Sequence, residues 1–212
     1  MHKLLLLLFL PLAFCQNFIP TGISQSEQDS LVKAGNELRN TFNNPKCSNP
    51  CWLDIELDKT DKATATTILQ DHNVKFTLEG YDGAVVWLHH IPGGLFPHIA
   101  SQRFAEGSIN FGASDGNLIS SMNFDLDICV STVISAYGVP DVWFTESGIP
   151  STIVYLQYQL FFGIDTTTWR IDSVFLHLED AMPSPEDLQP WSNYANVFAG
   201  NCSDIFTQYS GQ

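Results

Sequence analysis

Residues 47–60, CSNPCWLDIELDKT, contain two cysteines four residues apart, Cys47 and Cys51. Such a pair could bind a metal, act as a redox pair or form a structural disulfide. A structural zinc site needs four convergent ligands, but no second close cysteine pair follows and the nearest histidine is His72. A thioredoxin-like motif is C-x-x-C at the start of a helix, whereas Cys47 and Cys51 are one residue further apart and lie among Asn and Pro residues. We therefore predict a plain disulfide between Cys47 and Cys51.

The acidic residues of the same stretch raise the possibility of a calcium site; they are Asp54, Glu56, Asp58 and Asp61. An EF-hand loop needs glycine at its sixth position and glutamate at its twelfth. Counted from Asp54, these positions hold Lys59 and Ala65. The alternation instead favours the solvent-facing side of a strand, with Ile55 and Leu57 pointing inward.

Three histidines, His89, His90 and His98, surround the segment IPGG. Adjacent residues on a strand point to opposite faces, so at most one of His89 and His90 shares a site with His98. With no partner carboxylate in view, we predict no metal site and no cofactor. The G-x-S-x-G, H-E-x-x-H and P-loop motifs are absent, and we predict no catalytic residues. A carboxylate pair stays open, because 23 acidic residues allow many pairings.

Aromatic side chains are the candidates for binding. Trp143, Tyr155, Tyr158 and Trp169 lie on predicted strands of the second half, and Trp191 lies in the C-terminal tail. An antiparallel sheet commonly leaves one face open to solvent, and a surplus of aromatics there would form a binding platform. The alternative is that these strand aromatics belong to the core.

The N-terminus, MHKLLLLLFLPLAFCQ, has one cation followed by an apolar run that is shorter than the about 20 residues needed to span a bilayer. It predicts a secretory signal peptide over residues 1–15, cut before Gln16. The alternative is a lipoprotein signal with a lipid anchor at Cys15, although Phe14 stands where that signal needs a small residue. We expect no transmembrane segment, and a secreted or cell-envelope location.

An oxidising compartment favours disulfides among the four remaining cysteines, Cys47, Cys51, Cys129 and Cys202. Three pairings are possible; proximity favours Cys47–Cys51, which leaves Cys129–Cys202. The net charge of −14 argues against a nucleic-acid partner, whose phosphates demand cations. Such acidity is typical of exported proteins that must stay soluble.

Hydrophobic periodicity predicts the elements that carry these residues. A helix is expected near 25–42, and a second one begins after Thr60 as N-cap. Hairpins follow at 74–91, with an Asp-Gly turn, and at 103–126. A helix capped by Asp127 and ended by Gly138 comes next. Further strands are predicted at 141–145, 151–162 and 167–178, of which the second is either split by a turn or one long edge strand.

The order helix–strands occurs twice, about 70 residues apart. Overlaid, the two halves match Ile55 with Phe124, Leu57 with Leu126 and Asp58 with Asp127. The expected fold is α+β, with two tandem helix-plus-antiparallel-β-meander repeats stapled by disulfides. The predicted parts are the signal peptide, an N-terminal helix and loop (16–46), a first repeat (47–127), a second repeat (128–180) and an irregular tail (181–212).

Residues 47–60 resemble the C-x-L-P-C-W-W-G-I-x-P-G-x-T segment of uncharacterised exported bacterial proteins. Residues 130–141, VSTVISAYGVPD, are similar to their second segment, of the type D-V-I-x-x-Y-G-x-P. Those proteins are similar in layout to the small lipoproteins of the outer-membrane barrel-assembly machinery and to β-lactamase-inhibitor-like domains. Asp54 departs from the glycine of the pattern, and Leu57-Asp58 from its Pro-Gly.

The resemblance supplies no catalytic residues and implies a binding or scaffolding role. Together with the signal peptide, it predicts a secreted or envelope-associated, non-enzymatic module that binds another protein or an extracellular ligand through an open sheet face. Two alternatives stay open: a small secreted hydrolase with an unrecognised carboxylate or histidine site, and an inhibitor of a secreted enzyme.

Overall fold

The computed structural model describes residues 24–80, 84–92, 106–112, 117–146, 149–165, 167–168, 170–177 and 188–190. The helices described are α1 (Gln25–Phe42), α2 (Lys62–Asp71) and α3 (Val130–Tyr137). The strands are β1 (Cys51–Trp52), β2 (Ile55–Glu56), β3 (Lys75–Glu79), β4 (Val85–His90), β5 (Gly107–Phe111), β6 (Ile119–Cys129), β7 (Val142–Glu146), β8 (Ile149–Tyr155), β9 (Leu160–Asp165), β10 (Arg170–His177) and β11 (Leu188–Pro190). The expected α+β class is confirmed.

Strands β1 and β2 form a small hairpin, and the other nine form one antiparallel sheet in the order β11-β7-β8-β9-β10-β6-β5-β4-β3. Helix α2 is followed by the meander β3–β6, and helix α3 by the meander β7–β10. The last strands of the two meanders, β6 and β10, lie side by side and join them into a single sheet. The hairpins expected at 74–91 and 103–126 are confirmed by the β3–β4 and β5–β6 ladders.

One side of the sheet carries the core. Alternate strand residues such as Leu88, Phe124 and Phe162 are fully buried in one cluster with Leu38 of α1 and Val133 of α3. Because successive side chains of a strand point to opposite sides, the intervening residues point away from the helices. We call the side of the sheet that these residues form the outer face.

Helix α1 lies directly against α3. Gly35 permits this contact, because a Cβ atom at Gly35 would approach the backbone nitrogen of Ala136 to 2.9 Å. The hydroxyl of Tyr137 donates a hydrogen bond of 3.3 Å to the carbonyl of Leu38. The N-terminal helix therefore packs against the helix of the second half.

Two helix starts differ from the expectation. The N-cap of α2 is Asp61, whose carboxylate accepts from the Thr64 N–H, while the hydroxyl of Thr60 accepts from the Glu56 N–H. The N-cap of α3 is Cys129, without a side-chain cap, because β6 runs straight into the helix. Asp127 lies in β6, where its carboxylate and carbonyl hold Arg170 of β10. Sequence spacing predicted the helices, but it did not predict that the Thr60 hydroxyl and the Asp127 carboxylate are hydrogen-bonded to other residues.

The run 151–162 is split by a turn. Strand β8 ends at Tyr155, a 3-10 turn covers Leu156–Tyr158, and Gln159 adopts a left-handed conformation with φ of 52° before β9 begins. In the tail, expected to be irregular, residues 188–190 form a strand that pairs with β7.

Several predictions fall on residues outside the described ranges: the signal peptide with Cys15, His98, Trp169, Trp191 and Cys202. Among the described helices, none is long and apolar enough to cross a membrane.

Candidate functional site

The stretch 47–60 folds into a stapled hairpin. The sulfur atoms of Cys47 and Cys51 are bonded, with their Cα atoms 6.4 Å apart, as expected. Between β1 and β2, Leu53 and Asp54 both have positive φ, of 54° and 65°, as the two central residues of a type I′ hairpin turn require. Asp54 is held there by the Asn44 side-chain amide, which donates to its carboxylate over 2.7 Å.

Glu56 organises the disulfide loop. Its Oε1 atom accepts from the backbone N–H groups of Ser48 (2.9 Å) and Asn49 (2.8 Å) and lies 2.7 Å from Nζ of Lys59. Burial acts to raise the pKa of Glu56, but the Lys59 ammonium and the two N–H groups outweigh it and the net pKa is lowered. This carboxylate is therefore a structural acceptor.

The hairpin is anchored to the main sheet. The Asp58 N–H donates to the Ile119 carbonyl at the start of β6 over 2.8 Å, and the ring of Trp52 packs on Phe124 of the same strand. Ile55 and Leu57 are fully buried, as expected.

Three of the four acids of the stretch have separate local partners. Asp54 binds Asn44, Glu56 binds the disulfide loop and Asp61 caps α2. In the part of the chain that the structure describes, no group of three or more potential metal ligands is brought together. The residues that first suggested metal or redox chemistry thus build the fold.

The predicted aromatic platform is not assembled among the described side chains. Tyr155 is 1% exposed and lies in the core, where its hydroxyl donates to the Gly138 carbonyl over 2.8 Å. Burial raises its pKa well above the ordinary value. Tyr158 packs on the helix side, with its hydroxyl accepting from Arg39. The backbone of Trp143 pairs with Ile153 and Gln189, but its side chain lies outside the described part, as do Trp169 and Trp191.

One row of directly opposed residues crosses the outer face from β3 to β8. It consists of Thr77, Trp87, Ser108, Asn123, Phe175, Phe161 and Val154. At its β8–β9 end, Val154 is 0% and Phe161 7% exposed, although neither belongs to the core cluster. At its β3–β4 end, Trp87 is 44% exposed. The outer face is therefore open at Trp87 and buried at Phe161 and Val154; Ser108, opposite Trp87 on β5, is also buried, at 6% exposure.

Trp87 is not among the binding aromatics predicted from the sequence, which all lie in the second half of the chain and in the tail. The signal was present: in VVWLHH, Val86 and Leu88 form the inward pair, so Trp87 must point outward. Beside it on β4, Nε2 of His89 is hydrogen-bonded to the Thr77 hydroxyl at 2.8 Å. The result is an exposed indole framed by hydrogen-bonding side chains.

Three acidic residues, Asp125, Glu106 and Asp172, interact further along the sheet. The pKa of Asp125 on β6 is raised, first by burial and then by the negative charges of Glu106 and Asp172.

His177 on β10 lies between Phe161 and Phe175, with ring centroids 5.9 and 6.4 Å away. Burial lowers the pKa of His177, which keeps this aromatic group uncharged at neutral pH.

Cys129, at the end of β6, is also disulfide-bonded. Since Cys47 and Cys51 are bonded to each other, the partner of Cys129 lies outside the described residues. The pairing Cys129–Cys202 stays a prediction.

No family model, no curated protein and no solved structure matches this chain significantly.

Proposed function

We propose that this chain is a secreted or envelope-associated, non-enzymatic binding module that recognises another protein through the open part of its outer face. The observation that carries the proposal is Trp87, a tryptophan 44% exposed on strand β4, which is paired with a strand on each side. Such a residue loses little conformational freedom when it is covered, and tryptophan is enriched among the residues that dominate binding energy at protein interfaces.

The surroundings of Trp87 fit a protein partner. Thr77 and Ser108 lie directly opposite it on the neighbouring strands, and Val85 and His89 lie two residues away along β4. Thr77 and His89 are exposed and Ser108 is buried, so the indole is an apolar anchor with exposed polar neighbours on β3 and β4, as is usual at protein–protein interfaces. Both neighbouring strands are paired with β4 over at least four residues, so the surface is held rigidly before binding.

A capture experiment tests the proposal. Purified protein immobilised through its C-terminus is exposed to medium and envelope fractions of the native source, beside Trp87→Ala and the control Val32→Ala. Val32 is similarly exposed, at 49%, but lies on α1. We expect a partner that binds the parent and Val32→Ala equally, and Trp87→Ala at least about tenfold more weakly. A partner retained in full by Trp87→Ala would place the binding surface elsewhere.

Export is part of the same proposal. Disulfides form and persist in oxidising compartments, and both Cys47–Cys51 and Cys129 are oxidised. Sequencing of the mature N-terminus tests the processing: we expect Gln16 as the first residue. A lipid-modified Cys15 would show anchoring in place of simple cleavage.

A second candidate, a small secreted hydrolase, is favoured by one observation. The pKa of Asp125 is raised, first by burial and then by the charges of Glu106 and Asp172, and a raised carboxyl pKa is a common feature of general acids. Hydrolysis of glycosides or peptides by the parent but not by Asp125→Asn would support it. Equal turnover by both proteins would show that Asp125 is not the general acid.

We also propose that the two helix-plus-meander units are an internal duplication. Support comes from their shared order, each a helix followed by four antiparallel strands, and from the pairing of their final strands. The aligned segments differ locally, since Ile55 lies in a short hairpin and Phe124 in a long strand. An experimental structure in which the two units superpose no better than unrelated meanders would contradict the duplication.

A further inference from the structure

Strand β3, residues 75–79, forms one edge of the large sheet. Among the described strands it pairs only with β4. Four of its five residues are exposed, including Leu78 at 51%. An edge of this kind presents a row of unpaired backbone N–H and C=O groups, onto which another strand can be added.

The sequence of β3, KFTLE, is self-complementary. In an antiparallel pair centred on Thr77, Lys75 lies opposite Glu79 of a second copy, and Glu79 opposite its Lys75. Phe76 then lies opposite Leu78, and Thr77 opposite itself. Opposite charges placed directly across an antiparallel pair are stabilising. Neither Lys75 nor Glu79 forms an ion pair with a described residue of its own chain.

Other registers lose this match. A shift of two residues in either direction removes both Lys–Glu pairs, and a parallel arrangement sets like charges beside each other. The irregularity between β3 and β4 does not disturb the edge, because the extra residue, His89, is in β4 and not in β3. Strand β3 therefore keeps a regular alternation on which a second strand can form its ladder.

We propose that two copies of this chain associate through their β3 strands, antiparallel and centred on Thr77. The two sheets then form one continuous sheet with isologous two-fold symmetry. Phe76, which packs against the core cluster, meets the exposed Leu78 of the second copy on the helix side. On the outer face, the two Trp87 residues lie in one row, three strand spacings or about 14 Å apart. The binding surface is thereby doubled, with both indoles on the same side.

Charge reversal tests the register. Sedimentation equilibrium of the purified protein alone is measured for the parent, Lys75→Glu, Glu79→Lys and the double variant K75E/E79K. Each single variant places like charges across both outer pairs of the seam, and we expect its dimer dissociation constant to rise about tenfold. The double variant restores two opposite pairs, and we expect it to return within about threefold of the parent. Lys33→Glu, an exposed change on α1, controls for net charge.

Cross-linking tests the centre. Only the residue on the two-fold axis faces its own copy, so Thr77→Cys should give covalent dimers with a short bis-maleimide, and Asn36→Cys on α1 should not. A parent that stays monomeric at all concentrations overturns the proposal. So does a dimer that is insensitive to Lys75→Glu and Glu79→Lys and is not cross-linked through Thr77→Cys, because its interface must lie elsewhere. These measurements need no ligand, so their outcome tests the dimer separately from the proposed binding function.

Discussion

The indole ring of Trp52 packs edge-on against the phenyl ring of Phe124, with the ring centroids 4.8 Å apart and the planes at 60°. Trp52 belongs to the disulfide-stapled hairpin and Phe124 to the long strand β6. Phe42, the last residue of α1, also packs on Phe124, with the ring centroids 5.6 Å apart. The stapled hairpin therefore closes the core where the first helix meets the sheet.

Trp52→Ala should destabilise the fold strongly. Because the side chain is fully buried, its removal leaves a cavity as well as losing apolar burial, and we expect a loss of about 3–5 kcal/mol in the free energy of unfolding. Urea denaturation followed by circular dichroism measures it. Trp87→Ala, at an exposed site, should cost less than about 1 kcal/mol. Equal losses for the two variants would show that Trp52 is not part of the core.

Glu56→Gln should loosen the disulfide loop. The variant loses the charge-assisted bonds to Lys59 and to two backbone N–H groups, and we expect a loss of about 1–2 kcal/mol at neutral pH. The lowered pKa of Glu56 makes its contribution complete above the ordinary value of 4.5 and lost as the pH falls through the folded-state value. The difference between parent and variant should therefore shrink in acid. A difference that stays constant down to acid pH would contradict this role of the Glu56 charge.

Position 54 should prefer glycine to alanine. Both substitutions remove the bond from Asn44, so the difference between Asp54→Gly and Asp54→Ala isolates the backbone. With φ of 65°, we expect the glycine variant to be more stable by about 1 kcal/mol. In the exposed face of α1, Ser30→Gly and Ser30→Ala should show the opposite order. Chemical denaturation of all four variants measures their stabilities. If alanine were more stable than glycine at both positions, the positive φ of Asp54 would be contradicted.

His177 should make the fold sensitive to mild acid. Burial lowers its folded-state pKa below the ordinary value of 6.5, so the unfolded chain takes up a proton first. The stability linked to His177 is complete above that value and is lost as the pH falls from 6.5 towards the folded-state pKa. Thermal unfolding at pH 7.5 and 5.5 should show a smaller decrease for His177→Asn than for the parent. An equal decrease in both proteins would contradict this role of His177.

Cys129 should be bonded to Cys202. Peptide mapping under non-reducing conditions should give one cross-linked peptide with these two residues and another with Cys47 and Cys51. By the loop-entropy relation, a bond over such a long separation stabilises by about 4 kcal/mol, so Cys202→Ser should lower the melting temperature far more than Cys47→Ser. Finding Cys129 bonded to Cys15 would contradict the pairing.

Local interactions made much of the fold predictable from the sequence. The helix over 25–42 follows from apolar residues at helical spacing, and the two early hairpins from alternating patterns separated by turn residues. The Cys47–Cys51 bond follows from a separation of only four residues. In each case the residues that decide the structure are neighbours along the chain.

The positions that depend on distant partners were decided by the tertiary structure alone. Asp127 resembles a helix cap in sequence, yet Arg170 on an adjacent strand engages it. Tyr155 resembles a surface aromatic, yet the packing of α3 against the sheet buries it. Trp87 is exposed on the outer face, while Val154, in the same row of that face, is buried. Which face of a strand meets solvent depends on what packs across it, and contacts between residues far apart in the chain leave no periodic signal in the sequence.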